Sequence, residues 1–138
     1  FPFIYLEDPF GEEAFLEFGS LQRTLGPKVV VVGDDLTTTN VERMEKAHAN
    51  QSVNGVIIKP NQIGTVSEAL DAVRLARKYG WVVVVSHRSG ETNDDFIADF
   101  AYGVGADGLK LGAPARGERV AKYNRLLEIE RVENKFEV

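Results

Sequence analysis

The sequence contains no cysteine, which excludes disulfide scaffolds, thiol nucleophiles and zinc sites built on cysteine. Long apolar runs are also absent: the longest, Trp81 to Val85, is far shorter than the ~18 residues that indicate a membrane span. Basic residues are outnumbered, with 16 Lys and Arg against 21 Asp and Glu and a formal charge of −5. A nucleic-acid-binding surface should be basic, so we expect neither a membrane nor a nucleic-acid partner.

What the sequence does contain is a repeated unit in which an apolar run ends in a polar residue. The 138 residues suit one domain, and their 43% hydrophobic content is enough to bury a core. Unbroken Val and Ile runs are typical of strands buried on both faces of a parallel sheet. We predict strands at 3–6, 29–32, 56–58, 81–85 and 108–109. The polar residues that follow them are Glu7, Asp34, Lys59, His87 and Lys110.

Helical patterns fill the intervals between these strands. The clearest starts at a capping box formed by Thr65 and Glu68 and stops at Gly80. The other predicted helices cover about 12–24, 40–50, 92–103 and 117–131. The pattern therefore predicts an α/β fold of about five parallel (βα) repeats, with the helices outside because crossovers are right-handed. Five repeats can form an open twisted sheet or five-eighths of a (βα)₈ barrel.

In both architectures, ligands bind at the carboxyl ends of the strands, where the polar residues fall. Glu7 and Asp34 follow neighbouring strands, so their carboxylates can approach one hard cation such as Mg²⁺, which prefers oxygen ligands. The alternative is that both are solvated loop acids or helix N-caps. Lys59 can act as a general base and Lys110 can neutralise an anionic substrate, unless both are surface lysines that extend into solvent.

The segment Ser86–Thr92 connects a predicted strand to a helix. Arg88 can bind a phosphate or carboxylate in a bidentate way, and Ser89 adds a hydroxyl. A following helix N-terminus also favours anions, so this loop indicates a phosphorylated or carboxylated substrate. His87 by itself is more often structural. A solvated charge cluster is the expected role of Arg119 and its neighbours at the start of the last helix.

Five segments together resemble enolase, in the order and spacing of that family. The most specific are Lys59–Thr65 and Ser86–Thr92, and the resemblance runs from about residue 3 to residue 131. The other three are 6–10, 33–37 and 110–116. The resemblance implies the C-terminal part of an enolase-type TIM barrel, a partial barrel in this chain. It also implies the glycolytic, cytoplasmic lyase that interconverts 2-phosphoglycerate and phosphoenolpyruvate plus water.

The resemblance further implies a role for each residue of the site. Glu7 and Asp34 are similar to two of the family's three Mg²⁺ carboxylates, and Lys59 to the base that removes the C2 proton. Lys110 is similar to the lysine on the substrate carboxylate. The remaining residues, Ser86, His87, Arg88 and Ser89, resemble the lid-side loop, with Arg88 and Ser89 on the phosphate and His87 among the catalytic groups. Family enzymes of this kind use a Lys or His base with one or two Mg²⁺ ions.

We expect residues 1–138 to be the C-terminal segment of an enolase-like barrel domain, without its N-terminal domain and first barrel strands. Such a segment lacks the general-acid side and one metal ligand, so we expect it to be inactive alone. Its expected partner is a second copy or the rest of the same enolase. An alternative is a free-standing, non-catalytic module that binds Mg²⁺ and a phosphorylated acid or a protein partner. An acid-sugar dehydratase is disfavoured by the phosphate loop.

Overall fold

The computed structural model describes residues 2–134, which divide into two compact units between Val84 and Val85. Strands and helices alternate along both units, with one additional short helix. The elements of the first unit are β1 (Tyr5–Glu7), α1 (Phe15–Leu25), β2 (Val30–Gly33), α2 (Val41–Ala49), β3 (Gly55–Ile58), α3 (Pro60–Ile63) and α4 (Val66–Lys78). Strand β4 (Val82–Ser86) begins in the first unit and ends in the second. The second unit continues with α5 (Phe96–Gly103), β5 (Gly108–Lys110) and α6 (Gly117–Glu133).

The strands of the first unit pair in chain order. Strand β2 lies between β1 and β3 and is parallel to both, with Glu7 opposite Val32 and Val32 opposite Gly55. In the second unit, β5 neighbours the end of β4. The predicted fold of five parallel βα repeats is therefore confirmed. Register matters for function because it brings the ends of β1 and β2 level: Glu7 is the last residue of β1, and Asp34 follows β2.

Valine and isoleucine side chains form the core of the first unit's sheet. Val32, Ile57 and Val84 are buried together. Gly55 permits the close approach of β2 and β3, since a Cβ atom built there would lie 2.7 Å from Val30 Cγ1. A side chain at position 55 would therefore push the two strands apart. The apolar runs of β2, β3 and β4 are largely buried, as their composition predicts. The run at 3–6 differs from that expectation, because Phe3 is 51% exposed and Ile4 is 78% exposed.

Two helices of the first unit begin at side-chain caps. Asn40 accepts a hydrogen bond from the Arg43 backbone N–H at the start of α2, at 3.0 Å. Thr65 accepts one from Glu68 N at 3.2 Å, as the capping box predicts. The Glu68 carboxylate differs from that motif, because it accepts a hydrogen bond from the Thr65 hydroxyl at 2.6 Å. Both caps satisfy amides that the first helical turn leaves without partners.

Two helix predictions differ from the structure. The short helix α3 was not predicted, and its first residue is Pro60, which suits a first helical turn. The helix predicted at 92–103 begins at Phe96. Side-chain hydrogen bonds hold the preceding backbone outside the helix: Asp94 N donates to Thr92 Oγ1, and Phe96 N donates to Asp94 Oδ1. The loop after β4 is therefore longer than the periodicity indicated.

Over the described part of the chain, none of the helices combines the length and apolar character that crossing a membrane requires.

Candidate functional site

The first unit contains a buried pair of opposite charges formed by two of the predicted site residues. Lys59 Nζ lies 2.5 Å from Oδ1 and 2.7 Å from Oδ2 of Asp34. Asp34 is 7% exposed and Lys59 is 9% exposed. Asp34 follows β2 and Lys59 follows β3, so the parallel register brings them to the same end of the sheet. The structure thus joins two residues that are 25 positions apart in sequence.

Backbone contacts hold both members of this pair in place. The Asp8 carboxylate accepts hydrogen bonds from the backbone N–H groups of Asp34, at 2.9 Å, and Asp35, at 2.6 Å. The backbone N–H of Lys59 donates to Thr39 Oγ1 at 2.9 Å. Asp8 adopts a left-handed φ of 39°, which a short polar side chain tolerates better than most. Asp8 therefore connects the end of β1 to the backbone that follows β2.

Glu7, the third predicted residue of this unit, accepts a hydrogen bond from the Tyr5 hydroxyl at 2.9 Å. Burial, the hydrogen bond to Glu7 and the charges of Glu7, Asp34 and Asp8 together raise the pKa of Tyr5 far above its ordinary value. Burial also raises the pKa of Asp8, although the hydrogen bonds from Asp34 and Asp35 oppose that effect. The raised pKa of Tyr5 therefore reflects three carboxylates that lie near the ends of β1 and β2.

The oxygen donors at this end of the sheet fit a hard cation. Glu7 and Asp34 offer carboxylate oxygens, and Mg²⁺ is commonly held by one or two carboxylates plus waters and substrate. Within residues 2–134, no cluster of three or more His, Asp or Glu side chains is arranged to hold a metal. Two carboxylates on neighbouring strands are therefore the candidate ligand set in the first unit. Lys59 occupies the same Asp34 oxygens that such a cation would use.

In the second unit, the predicted phosphate loop follows β4. Ser86 is buried and its hydroxyl donates to the His87 backbone carbonyl at 2.9 Å. The His87 backbone N–H donates to the carbonyl of Lys110, at 3.0 Å, which ties the loop to β5. Arg88 and Ser89 are exposed. The loop therefore presents these two side chains outward from an anchored start.

Lys122 is the residue that sequence reasoning missed. It is fully buried on α6, and its ammonium group donates to the backbone carbonyls of Thr92 at 2.9 Å, Asp94 at 2.7 Å and Glu118 at 2.8 Å. It also lies 2.8 Å from Glu91 Oε2. Burying a lysine costs free energy unless its charge is paired and its donors are used. Lys122 meets that condition by binding one carboxylate and two carbonyls of the loop, together with one carbonyl of α6.

Glu91 connects Lys122 to the start of the loop. Its Oε1 accepts a hydrogen bond from the Arg88 backbone N–H at 2.9 Å, while Oε2 faces Lys122. Burial alone would raise the pKa of Glu91, but the hydrogen bonds from Lys122 and Arg88 outweigh it and lower the pKa below its ordinary value. Glu91 is therefore a charged residue that connects the backbone of the loop to Lys122.

Arg119 contradicts the expectation of a solvated charge. It is half-buried, and its guanidinium donates to the carbonyls of Arg88 and Ser89, both at 3.1 Å, and contacts His87 Nδ1. Burial, and then the charge of Arg119, lower the pKa of His87 below its ordinary value. The spacing of Arg119 and Lys122 by three residues, which puts them on one helix face, was the available sequence pattern. It did not show which segment that face contacts.

Comparisons with known proteins match these observations. The family model described as "Enolase, C-terminal TIM barrel domain" matches residues 1–136. The chain is 55% identical to the enolase of Sulfurisphaera tokodaii over 130 residues, which are 94% of this chain and 31% of that enolase. It is 53% identical to an enolase of Saccharolobus islandicus and 52% identical to that of Saccharolobus solfataricus, each over 136 residues.

The chain spans about a third of the length of the curated relatives it matches. The match covers both structural units, and it confirms the expected resemblance and the expected partial TIM-barrel class. The parallel βα repeats and the family match therefore lead to one conclusion: the chain belongs to the enolase family and corresponds to its C-terminal TIM barrel domain.

Proposed function

We propose that the chain is a catalytic-barrel segment of an enolase that carries out the Mg²⁺-dependent interconversion of 2-phosphoglycerate and phosphoenolpyruvate plus water in glycolysis. The observation that carries this proposal is the buried contact between Lys59 and Asp34 at the ends of neighbouring strands. A base and a metal carboxylate must act on the same small substrate, so their close placement suits the reaction. A cytoplasmic location accompanies a role in glycolysis.

In the first unit, we propose that Glu7 and Asp34 hold Mg²⁺ and that Lys59 removes the proton from C2. A proton beside a carboxylate is weakly acidic until positive charge stabilises the electrons left behind, and bound Mg²⁺ supplies that charge. Lys59 Nζ contacts the Asp34 oxygens that would hold the metal. Lys59 must leave Asp34 and lose a proton before it can act as the base.

In the second unit, we propose that Arg88 and Ser89 bind the substrate phosphate, together with the loop residues Ser86 and His87. Exposure of Arg88 and Ser89 supports this assignment, because a bound phosphate has to reach them from solvent. Arginine can bind phosphate in a bidentate way. Lys110 neutralises the substrate carboxylate, and His87 belongs to the catalytic groups.

We further propose that the 138-residue chain alone does not dehydrate 2-phosphoglycerate and binds Mg²⁺ weakly. It spans about a third of the length of its relatives, so it carries part of the family's machinery. Each lost transition-state group commonly costs a factor of ~10²–10³ in rate. Robust turnover by the purified chain, prepared free of host enolase, would contradict this proposal.

A chimera gives the most direct test of the proposed function. In it, this chain replaces the 31% of the Sulfurisphaera tokodaii enolase that it matches. We expect the chimera to convert 2-phosphoglycerate, measured by the ultraviolet absorbance of phosphoenolpyruvate. Lys59→Ala in the chimera should lower kcat by a factor of ~10²–10⁴, the usual contribution of a general base. Lys46→Ala, at an exposed lysine, is the matched control and should leave kcat unchanged.

The result that would overturn the assignment is a folded chimera in which Lys59→Ala and Lys46→Ala have the same kcat. Calorimetry tests the metal separately: Asp34→Ala should remove whatever Mg²⁺ binding the chain shows. Micromolar Mg²⁺ affinity that survives this substitution would mean that the metal ligands lie elsewhere.

For assembly, we propose that the chain associates with another enolase segment, either a second copy or the rest of the same enolase. Apolar side chains at the start of the chain support this, since Phe3 is 51% exposed and Ile4 is 78% exposed beside β1. Strands at a sheet edge also offer unpaired backbone groups to a partner. Sedimentation at low micromolar concentration should show association, and a clean 15 kDa monomer would argue against it.

A further inference from the structure

Helix α6 holds the loop after β4 through side-chain contacts that the proposed catalytic roles do not use. Lys122 binds the far end of the loop, at Thr92 and Asp94. Arg119 binds the near end, at the carbonyls of Arg88 and Ser89 and at the ring of His87. The near end matters more for chemistry, because Arg88 and Ser89 are the residues assigned to phosphate.

The contact between Arg119 and His87 determines which nitrogen of the imidazole carries a proton. A guanidinium has only N–H donors and no acceptor, so His87 Nδ1 must be the acceptor in this contact. A neutral imidazole whose Nδ1 accepts a hydrogen bond carries its proton on Nε2. Nε2 is thereby an N–H donor, able to offer a hydrogen bond to a bound ligand.

The same guanidinium shapes the backbone beside His87. Two of its N–H groups donate to successive carbonyls, those of Arg88 and Ser89, both at 3.1 Å. A planar fork of donors fixes the relative orientation of two acceptors better than a lysine ammonium does. Because consecutive carbonyls are held together, the Arg88 and Ser89 side chains leave the loop from a defined backbone.

We propose that Arg119 is a positioning residue that orders the backbone of Arg88 and Ser89 and keeps His87 neutral with its proton on Nε2. Its consequence for phosphate binding rests on the proposed function, whereas the tautomer and the loop geometry do not. The lowered pKa of His87 agrees with this arrangement. The charged groups that act on His87 are Arg119, Lys110 and Lys122, which favour the neutral ring, and Glu91, which opposes them.

Imidazole ¹⁵N NMR on the 138-residue chain tests the proposal without any activity measurement. The chain has two histidines, and His48, which stacks on Tyr79 at 3.6 Å, serves as an internal reference. At neutral pH we expect His87 to show an unprotonated Nδ1 and a protonated Nε2. A His87 ring that is charged at neutral pH, or that carries its proton on Nδ1, would overturn the proposal in the unmodified chain.

Arg119→Lys keeps the positive charge and removes the planar fork. We expect this variant to give His87 a mixture of the two tautomers and to shift the backbone amide signals of Arg88 and Ser89. The matched control is Arg125→Lys, the same change on the same helix, at a guanidinium that binds Asp99 at 2.7 Å. The control should leave His87 unchanged. If Arg119→Lys also leaves the tautomer and the amides unchanged, Arg119 has no positioning role.

A titration with inorganic phosphate separates this inference from the proposed function. We expect phosphate to shift the Arg88 and Ser89 signals of the unmodified chain and to bind about tenfold more weakly to Arg119→Lys, the equivalent of ~1.4 kcal/mol. If phosphate has no effect on a chain whose His87 shows the Nε2 proton, the phosphate assignment fails while the positioning role stands. Equal phosphate affinity in both proteins would contradict the link between Arg119 and phosphate.

Discussion

Lys59 in the first unit and Lys122 in the second are both buried, but their ammonium groups are stabilised by different partners. Lys59 contacts the two oxygens of one carboxylate, Asp34. Lys122 binds three backbone carbonyls and the Glu91 carboxylate. A carbonyl partner is fixed by the backbone, whereas a carboxylate partner can be shared with a cation. The comparison assigns Lys122 a structural role and supports the proposal that Lys59 changes partners.

The largest expected effect follows from removing Lys122. Lys122→Met leaves the Glu91 carboxylate, 12% exposed, without its cation and removes a donor from the carbonyls of Thr92, Asp94 and Glu118. Breaking a buried ion pair by removing one partner costs about 3–5 kcal/mol, so the free energy of unfolding should fall by that amount. Equilibrium unfolding in urea measures this loss of free energy. If Lys122→Met has the same free energy of unfolding as the unmodified chain, Lys122 does not have this structural role.

Removing Lys59 should destabilise the chain by a smaller amount, about 3 kcal/mol, because Lys59→Met affects one carboxylate, whereas Lys122→Met affects a carboxylate and three carbonyls. The response of the unfolding midpoint to Mg²⁺ should distinguish Lys59 from Lys122 further. Lys59 no longer competes for Asp34 in Lys59→Met, so Mg²⁺ should raise its unfolding midpoint more than that of the unmodified chain.

Lys122→Met is the matched control for the Mg²⁺ experiment, since its partners are not proposed metal ligands. Its unfolding midpoint should respond to Mg²⁺ as the unmodified chain does. Equal Mg²⁺ responses of Lys59→Met and Lys122→Met would show that Lys59 and the metal do not share Asp34.

Acid should weaken the second unit through Glu91. The folded chain holds the pKa of Glu91 below its ordinary value, so the charged Glu91 stabilises the fold above the unfolded pKa of about 4.3. That contribution is lost as the pH falls through the lower folded pKa. Unfolding measured across this range should give a shallower pH dependence for Glu91→Gln than for the unmodified chain. Identical slopes would mean that Lys122 does not depend on a charged Glu91.

The smallest effect is expected at an exposed lysine. Lys46 contacts Glu13 at 3.3 Å and lies 4.0 Å above the Phe15 ring, with 53% of its side chain exposed. Exposed ion pairs contribute little because water screens them. Lys46→Ala should therefore shift the urea midpoint much less than Lys59→Met or Lys122→Met. A shift of equal size would show that burial does not set the ranking of the three lysines.

Local chemistry made much of the fold predictable. Valine and isoleucine runs located β2, β3 and β4, and the cap at Thr65 located the start of α4. The start of α5 could not be located in the same way. Besides the local hydrogen bonds of Thr92 and Asp94, Lys122 binds the carbonyls of these two residues from 28 to 30 positions away. Helical periodicity describes one segment at a time and contains no information on such distant donors.

The sequence by itself determined the order of strands and helices, the polar residues in phase at the strand ends and the enolase resemblance. These depend on residue type and spacing along the chain. Only the tertiary structure decided that Lys59 pairs with Asp34 and that Arg119 and Lys122 turn inward to the loop after β4. Those contacts join residues 25 to 31 positions apart. The physical reason is that a hydrogen bond depends on the direction of donor and acceptor in space, which strand register and helix packing set.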